Sequence, residues 1–412
     1  MSKARPSSTV VLDNGAYTIK AGFASDSAPT HVPNCVVKSR SERRRLFVGR
    51  QLNDCDDKSA LYFVLPFERG LLVNWDTEQR VWAHALADVL GVGGAEAAET
   101  SLLWTEPPCN LGSLQAEADE IVFELFGFAA SFCTTASRLS SFRYCRQRRE
   151  ARCCVVVDSG YSFSHVSCYA DGALIPDSVV RCDMGGKALT NQLKEAVSYR
   201  QLQVMDETWV VNQAKEDACF VSADFQADLA VARERDMTRN SIAREYVLPD
   251  FATVKRGYLR PIGGGSAGDD PPPSVQTLRL NVERFAVPEL LFNPSDVQVD
   301  QMGVAEAAQF AVGKCPQAMH GRLWSNVLLT GGNCLFPGFK NRFISELRPM
   351  VADEYELSVQ LAECPLTEAW AGGAELAASA IFDEVVVTKA EYLEVGGDIC
   401  RRRFRQPLTI SA

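Results

Sequence analysis

Apolar positions open the chain as short runs broken by Asp-Gly turns. Residues 10–12 are continuously apolar and end in Asp13-Asn14-Gly15, and an apolar pattern resumes over residues 19–23. Two such runs around a turn of this composition predict a β-hairpin. The same layout returns later: residues 153–157 form an apolar run, Asp158-Ser159-Gly160 the turn, and residues 163–169 the returning strand. Asp13 and Asp158 stand 145 residues apart, so the two units predict duplicated lobes.

Apolar residues at three- and four-residue spacing predict helices over 77–90, 114–126, 188–197, 206–230 and 305–312. Residues 323–329 read as a further buried strand, ending in Thr330-Gly331-Gly332-Asn333, where the glycines allow close backbone approach. Alternating strands and helices predict an α/β fold with sheets covered by helices. Residues 261–274, PIGGGSAGDDPPPS, cannot bury apolar area and read as a surface insertion between the patterned flanks 246–251 and 278–291.

Size and composition narrow the class. At 412 residues the chain exceeds what one core usually serves, which favours two or more lobes. With 46% hydrophobic and 23% charged residues it matches an ordinary globular protein. No apolar run approaches the roughly 20 residues of a membrane helix, and the first eight residues lack the apolar stretch of a signal peptide. The expectation is therefore a protein of cytosol or nucleus.

Fourteen cysteines, spread along the chain without a C-x-x-C pair, read as reduced and mostly buried thiols. Four single histidines do not suggest a zinc site. A net charge of -10 disfavours nonspecific DNA binding, which depends on phosphate neutralisation by Lys and Arg. Basic clusters at 40–45, 143–152 and 401–405 could meet acidic partners or form solvated charged faces.

Two glycine-rich turns, each led by an aspartate at a strand end, suit a polyphosphate and its metal. Backbone N–H groups hold phosphate oxygens, and carboxylates hold hydrated magnesium. One D-x-G turn alone is weak, because such turns are common structural elements. The ordered set is specific: DNGAYTIKAGF (13–23), LPFERGLLVNWD (65–76), TEPPCN (105–110), VVDSGYSFSHV (156–166), LTGGNCLFPGF (329–339) and WAGGAEL (370–376) resembles the actin superfamily over residues 9–404. The tyrosine-bearing turns, VMDET (204–208) and FAVPELLFNPSD (285–296) are most similar to its nuclear actin-related proteins, subunits of Swr-class chromatin remodellers that exchange a variant histone into nucleosomes.

That resemblance implies an actin-like α/β fold, of the type shared with hexokinase and Hsp70, with two duplicated lobes forming four subdomains around a central cleft. The implied divisions are residues 1–34, 69–148 and 368–412 for subdomain 1, 35–68 for subdomain 2 with a shortened loop, 149–184 and 283–367 for subdomain 3, and 185–282 for subdomain 4, which carries the insertion near 261–274. It also implies a vestigial or weak nucleotide site at Asp13, Gly15, Lys20, Asp158, Gly160, Gly186, Lys215, Glu216, Gly331, Gly332, Asn333 and Phe336. For the glycines and the Lys215-Glu216 pair, fold maintenance and a solvated helical face is the competing reading. Asp13 and Asp158 are read as turn formers whose carboxylates bond backbone donors.

Departures from the actin pattern fall on catalytic positions. Actin's D-N-G-S-G becomes Asp13-Asn14-Gly15-Ala16-Tyr17, and its D-S-G-D-G becomes Asp158-Ser159-Gly160-Tyr161-Ser162. Ungapped alignment places the water-orienting glutamine at Ala136. A donor, an acidic group and the water support are lost, so hydrolysis is not expected.

The reading is thus a non-enzymatic scaffold with no catalytic residue, no bound metal and no required cofactor, with room for a structural adenine nucleotide. Its expected partners are the other subunits of a remodelling complex, including its Swi/Snf-family ATPase, with histones and nucleosome met mainly indirectly. No membrane association and no homopolymer are expected, since KSRSERRRLFV (38–48) is shorter than the actin docking loop. The alternatives are a slow adenine-nucleotide-binding ATPase, in which Lys20, Asp13 and Asp158 hold phosphate and metal, or a cytoskeletal actin-related protein.

Overall fold

A computed structural model describes residues 8–40, 45–148, 151–236, 239–262 and 276–408. Two six-stranded sheets form its centre. The first runs in the order Val387–Thr388, Ala130–Thr135, Thr100–Glu106, Ser8–Asn14, Thr18–Phe23, Thr30–Pro33. The second runs Ala173–Leu174, Ser164–Ala170, Cys153–Ser159, Val327–Thr330, Val359–Leu361, with Val180–Cys182 also paired to Ser164–Ala170.

Each sheet is built on the same device. Ser8–Asn14 pairs antiparallel with Thr18–Phe23 and parallel with Thr100–Glu106, while Cys153–Ser159 pairs antiparallel with Ser164–Ala170 and parallel with Val327–Thr330. Both D-x-G turns therefore close hairpins at the carboxyl ends of strands with parallel neighbours, the end at which open α/β sheets bind ligands. Five of the seven residues of Cys153–Ser159, Cys153 to Val157, are apolar and buried, as expected for a strand covered on both faces.

Two small three-stranded sheets stand apart from these. Val36–Lys38 is flanked by Leu46–Val48 and Tyr62–Val64, and Arg244–Val247 by Tyr258–Pro261 and Thr277–Leu280. The helix Ala136–Gln147 joins the lobes: its Tyr144 packs on Cys154 and Val156 of the second sheet, while it lies closely against Glu368–Ala377 over the first. That close approach needs Gly372 and Gly373: a Cβ on Gly372 would lie 2.2 Å from the Leu139 carbonyl oxygen, and one on Gly373 2.7 Å from Val11 Cγ1. Arg143 fastens the same helix pair, with Nη1 2.5 Å from Glu368 Oε2 and Nε 3.0 Å from Glu375 Oε1.

Several expected elements change their bounds. The helix expected over 77–90 begins at Trp75, capped by the Asn74 side chain, runs to Ala83, and continues in wider turns over His84–Val89. That expected over 114–126 is Gly112–Glu120 followed by similar turns over Ile121–Leu125. The patterns at 188–197 and 305–312 are the helices Gly186–Arg200 and Val304–Gly313.

Two expectations need correction. The helix over 206–230 is two helices, Thr208–Ala218 and Phe225–Ala232, because Asp224 caps the second by accepting from the Gln226 and Ala227 amides. The strand over 323–329 begins only at Val327, since Leu323 and Trp324 end the helix Gln317–Trp324. Buried apolar runs look alike in either element, so periodicity did not separate them. Of the insertion, Pro261 ends a strand and residues 263–275 lie outside the described residues.

All fourteen cysteines are free; Cys109 and Cys364 are exposed, Cys145 is half-buried and the others are buried. The basic clusters are not uniform solvated faces: Arg143 lies in the helix-pair ion pair, and Arg403 donates to Glu391 at 3.0 Å. No helix of the described residues is long and apolar enough to cross a membrane.

Candidate functional site: the interlobe cleft

The two hairpin turns face one another across a cavity of 540 Å³. All sixteen residues singled out in the sequence line it: Asp13, Gly15, Ala16, Tyr17, Lys20, Ala136, Asp158, Gly160, Tyr161, Gly186, Lys215, Glu216, Gly331, Gly332, Asn333 and Phe336. Residues from six separated stretches of chain are thus gathered by the fold into one space, of a size that suits a small ligand.

The first turn is held from below. Asp13 Oδ1 accepts from the Thr105 hydroxyl at 2.9 Å, Asp13 Oδ2 lies 3.1 Å from Lys20 Nζ, and the Asn14 amide donates to Thr105 Oγ1 at 2.8 Å. Asn14 Oδ1 accepts from Trp82 Nε1 at 3.2 Å, and that indole also reaches Glu78 Oε1 at 3.1 Å. Burial pushes the Glu78 carboxyl up to about 7, against the lowering effect of its Asn14, Asn34 and Trp82 hydrogen bonds. Gly15 is required by the turn, because a Cβ there would lie 2.6 Å from the Thr18 carbonyl oxygen.

The second turn is secured differently. The Asn333 side-chain amide donates to Ser159 Oγ at 3.1 Å and to the Gly160 carbonyl at 2.8 Å, and the Gly186 amide donates to the same carbonyl at 3.0 Å. Gly331 has φ +93, and a Cβ on it would lie 2.3 Å from the Ser159 carbonyl oxygen, so this glycine serves strand-to-turn packing. Gly160 has ordinary space around it, with Phe163 O at 3.5 Å from a Cβ. Phe336 is buried beneath the turn.

Asp13 and Asp158 stand at hairpin turns as expected, but among the described residues their carboxylates do not bond backbone donors. Asp13 bonds a hydroxyl and an ammonium rather than backbone N–H groups. Asp158 makes no side-chain hydrogen bond among the described residues and faces the cavity. Burial, with the negative charge of Asp13 next and Lys20 partly offsetting both, raises its carboxyl to about 6.

Lys215 and Glu216 are likewise not a solvated helical pair. Lys215 is buried, and its ammonium donates at 3.0 Å to each of Gly186 O, Thr190 Oγ1 and Asn212 Oδ1, which uses all three protons. Desolvation lowers it to about 8, and the charge of Glu216 acts in the opposite direction. Glu216 is exposed and accepts from Asn212 Nδ2 at 2.8 Å.

Across the cleft, Tyr17 of the first turn stacks on Tyr161 of the second, with ring centroids 4.8 Å apart and planes tilted by 31°. The Tyr17 hydroxyl accepts from Asn212 Nδ2 at 3.1 Å. Burial, reinforced by the charge of Glu216, pushes the Tyr17 phenol well above its ordinary range, and burial raises Tyr161 to about 12. Both rings stay neutral at physiological pH. Ala136, at the start of the helix Ala136–Gln147, presents only a methyl group.

Sequence reading missed His165, His31 and Asn212, which also line the cavity. The signal for His165 was hairpin register: His165 is the cross-strand partner of Asp158, as Lys20 is of Asp13. Desolvation first, then the nearby Arg181, holds its imidazole down to about 4, so it is neutral at pH 7. His31, the partner of Lys20 on the neighbouring strand, is lowered by burial and by that lysine.

Paired hairpin turns over an interlobe cleft define an actin-like protein, and comparison agrees: residues 4–405 match the actin family, to which the chain belongs. It is 45% identical over 392 residues to Actin-related protein 6 of Drosophila melanogaster, covering 94% of this chain and 97% of that one. It is 38% identical to Actin-related protein 6 of Oryza sativa subsp. indica, and 36% identical to that of Arabidopsis thaliana, each alignment covering 97% of this chain and 99% of the relative. The expected α/β actin-like fold class and the resemblance to this branch are borne out.

Proposed function

We propose that the chain is a non-catalytic structural subunit of a nuclear chromatin-remodelling complex of the Swr class, which exchanges a variant histone into nucleosomes. The observation that carries the non-catalytic part is the Tyr17–Tyr161 stack. It joins the two turns that would grip a polyphosphate, placing neutral aromatic rings where backbone amides and an acidic group would be needed. Ala136 supports no attacking water. The sequence kinship with relatives named Actin-related protein 6 supports the placement within this branch.

A nucleotide fits this cleft unevenly. Gly331, Gly332, Asn333 and Phe336 leave space at one end, whereas Lys215 has given all its protons to protein acceptors and the tyrosines close the phosphate end. No hydrolytic step is therefore routed through it. In this reading the cleft is structural, the subunit does not build a homopolymer, and its partners are the complex's Swi/Snf-family ATPase and neighbouring subunits.

The unpaired Asp158 carboxylate, close enough to Lys20 and Asp13 to feel their charges, favours a second reading in which a nucleotide is bound but turned over slowly. The test is to isolate the tagged chain from nuclei, assay histone exchange by the isolated complex, and replace the chain by Asp158→Asn. Co-elution with a Swi/Snf-type ATPase, loss of exchange without the chain and full rescue by the variant are expected. Phosphate release by the purified chain that Asp158→Asn abolishes would overturn the non-catalytic reading, and absence of co-elution would overturn the remodeller assignment.

A further inference from the structure

One helix start reaches across the mouth of the cleft at three points. Glu207, which precedes the helix Thr208–Ala218, accepts the Ala60 amide with both oxygens, at 3.1 and 3.0 Å. Trp209 packs onto the core of the small sheet in the opposite lobe, against the cluster of Cys35, Val37, Phe47, Leu52, Cys55 and Leu61. Asn212, one turn further along and on the same face, donates to the Tyr17 hydroxyl.

The helix itself belongs to the other lobe: Val211, Ala214 and Ala218 are buried in the core that contains Val155 and Val157. The contacts at 207, 209 and 212 therefore join lobes that the chain connects only at a distance. Ala60 holds φ 45, a left-handed conformation that residues with a Cβ avoid, and its amide is the group that meets Glu207. Local strain of this kind persists only where surrounding contacts enforce it. Below these contacts, the Tyr17–Tyr161 stack separates the 540 Å³ cavity from a second cavity of 410 Å³ that Trp209 and Asn212 also line.

We propose that Glu207, Trp209 and Asn212 form a clasp that holds the two lobes closed by protein contacts alone, so that closure of this cleft does not depend on a nucleotide or metal. The clasp rests on interlobe geometry and not on the remodeller assignment; each can fail without the other. It contains a half-buried aromatic anchor, a charged hydrogen bond to a backbone amide and a hydrogen bond to the Tyr17 hydroxyl, three interactions that open together only if the lobes separate. The exposed Arg40–Asp206 pair, at 3.4 Å, lies beside the clasp and adds little.

Hydrogen exchange on the full chain tests this, after stripping with EDTA and apyrase and again with magnesium ATP. In the wild-type protein, segments 58–65 and 204–212 should be equally protected in both conditions, within about twofold. Glu207→Ala combined with Trp209→Ala should speed exchange of 58–65 by more than about tenfold, while 153–159 stays protected as a control for folding. Glu207→Gln, which keeps an acceptor, should remain near wild type. Rapid exchange of 58–65 in the stripped wild-type protein that magnesium ATP slows tenfold would overturn the proposal, as would a double variant with unchanged protection.

Discussion

His165 stands opposite Asp158 in the second hairpin, in the position that Lys20 takes opposite Asp13 in the first. The duplicated device has thus kept its acid in both lobes and changed the partner, from an ammonium in contact with its aspartate to a neutral imidazole. Asp13 is paired and Asp158 is not, and the pH behaviour of the cleft follows from that difference.

Burial raises Asp158 to about 6, so the folded state binds more protons than the unfolded state between about pH 4 and 6, and this group removes stability as pH rises through that window. His165, lowered to about 4, acts oppositely: the unfolded state binds more protons between about pH 4 and 6.5, so stability rises with pH there. The two slopes offset one another in the wild-type protein. Asp158→Asn is expected to stabilise the chain by about 1–3 kcal/mol at pH 7, a gain that vanishes near pH 4, as read by urea unfolding across the range. A gain independent of pH would show that Asp158 is not the titrating group.

The Tyr17–Tyr161 stack predicts a measurable coupling. A double-mutant cycle with Tyr17→Ala and Tyr161→Ala should give an interaction energy of about 0.5–1.5 kcal/mol from equilibrium unfolding. Tyr17→Phe removes only the hydrogen bond from Asn212 and should cost about 1 kcal/mol with the stack intact. Additive single effects would mean that the rings do not support one another in solution.

The cleft glycines separate by role. Gly331→Ala meets both a positive φ and the Ser159 carbonyl, and should cost more than about 2 kcal/mol. Gly160→Ala, with 3.5 Å to its nearest neighbour, should cost under about 1 kcal/mol. Thermal unfolding of the two variants side by side decides this; equal losses would contradict the packing role assigned to Gly331.

At the junction of the lobes, Arg143→Ala leaves Glu368 buried without its guanidinium and should lower stability by about 3 kcal/mol. Arg143→Met with Glu368→Met should recover most of that loss, because replacing a buried pair with apolar side chains is often neutral. Denaturant midpoints of the single and double variants measure it. A double variant as unstable as the single one would show that the pair contributes more than mutual neutralisation.

Much of this molecule is local in origin. Hairpins around Asp13 and Asp158 follow from apolar runs interrupted by Asp and Gly, and their repetition is readable in the sequence because two-residue periodicity and turn chemistry act within a few residues. Most of the sixteen cleft residues are legible because they sit in the motifs around the two hairpin turns and the Gly331-Gly332 turn, whereas Lys215 and Glu216 lie inside the helix Thr208–Ala218 and Ala136 and Gly186 open helices. Less legible were the boundaries inside buried apolar stretches, where Leu323 and Trp324 end a helix and Val327 begins a strand without any change in hydrophobicity to mark the switch.

Partnership between distant side chains was decided only in three dimensions. That Lys215 gives its protons to Gly186, Thr190 and Asn212 depends on how two helices of one lobe pack, and that Tyr17 meets Tyr161 and Glu207 reaches Ala60 depends on how two lobes face each other. A sequence fixes which groups carry charge, rings or hydroxyls and which strands and turns bear them. Their energies depend on burial and on separations of a few ångströms between residues about 150 positions apart, which packing sets and local pattern does not.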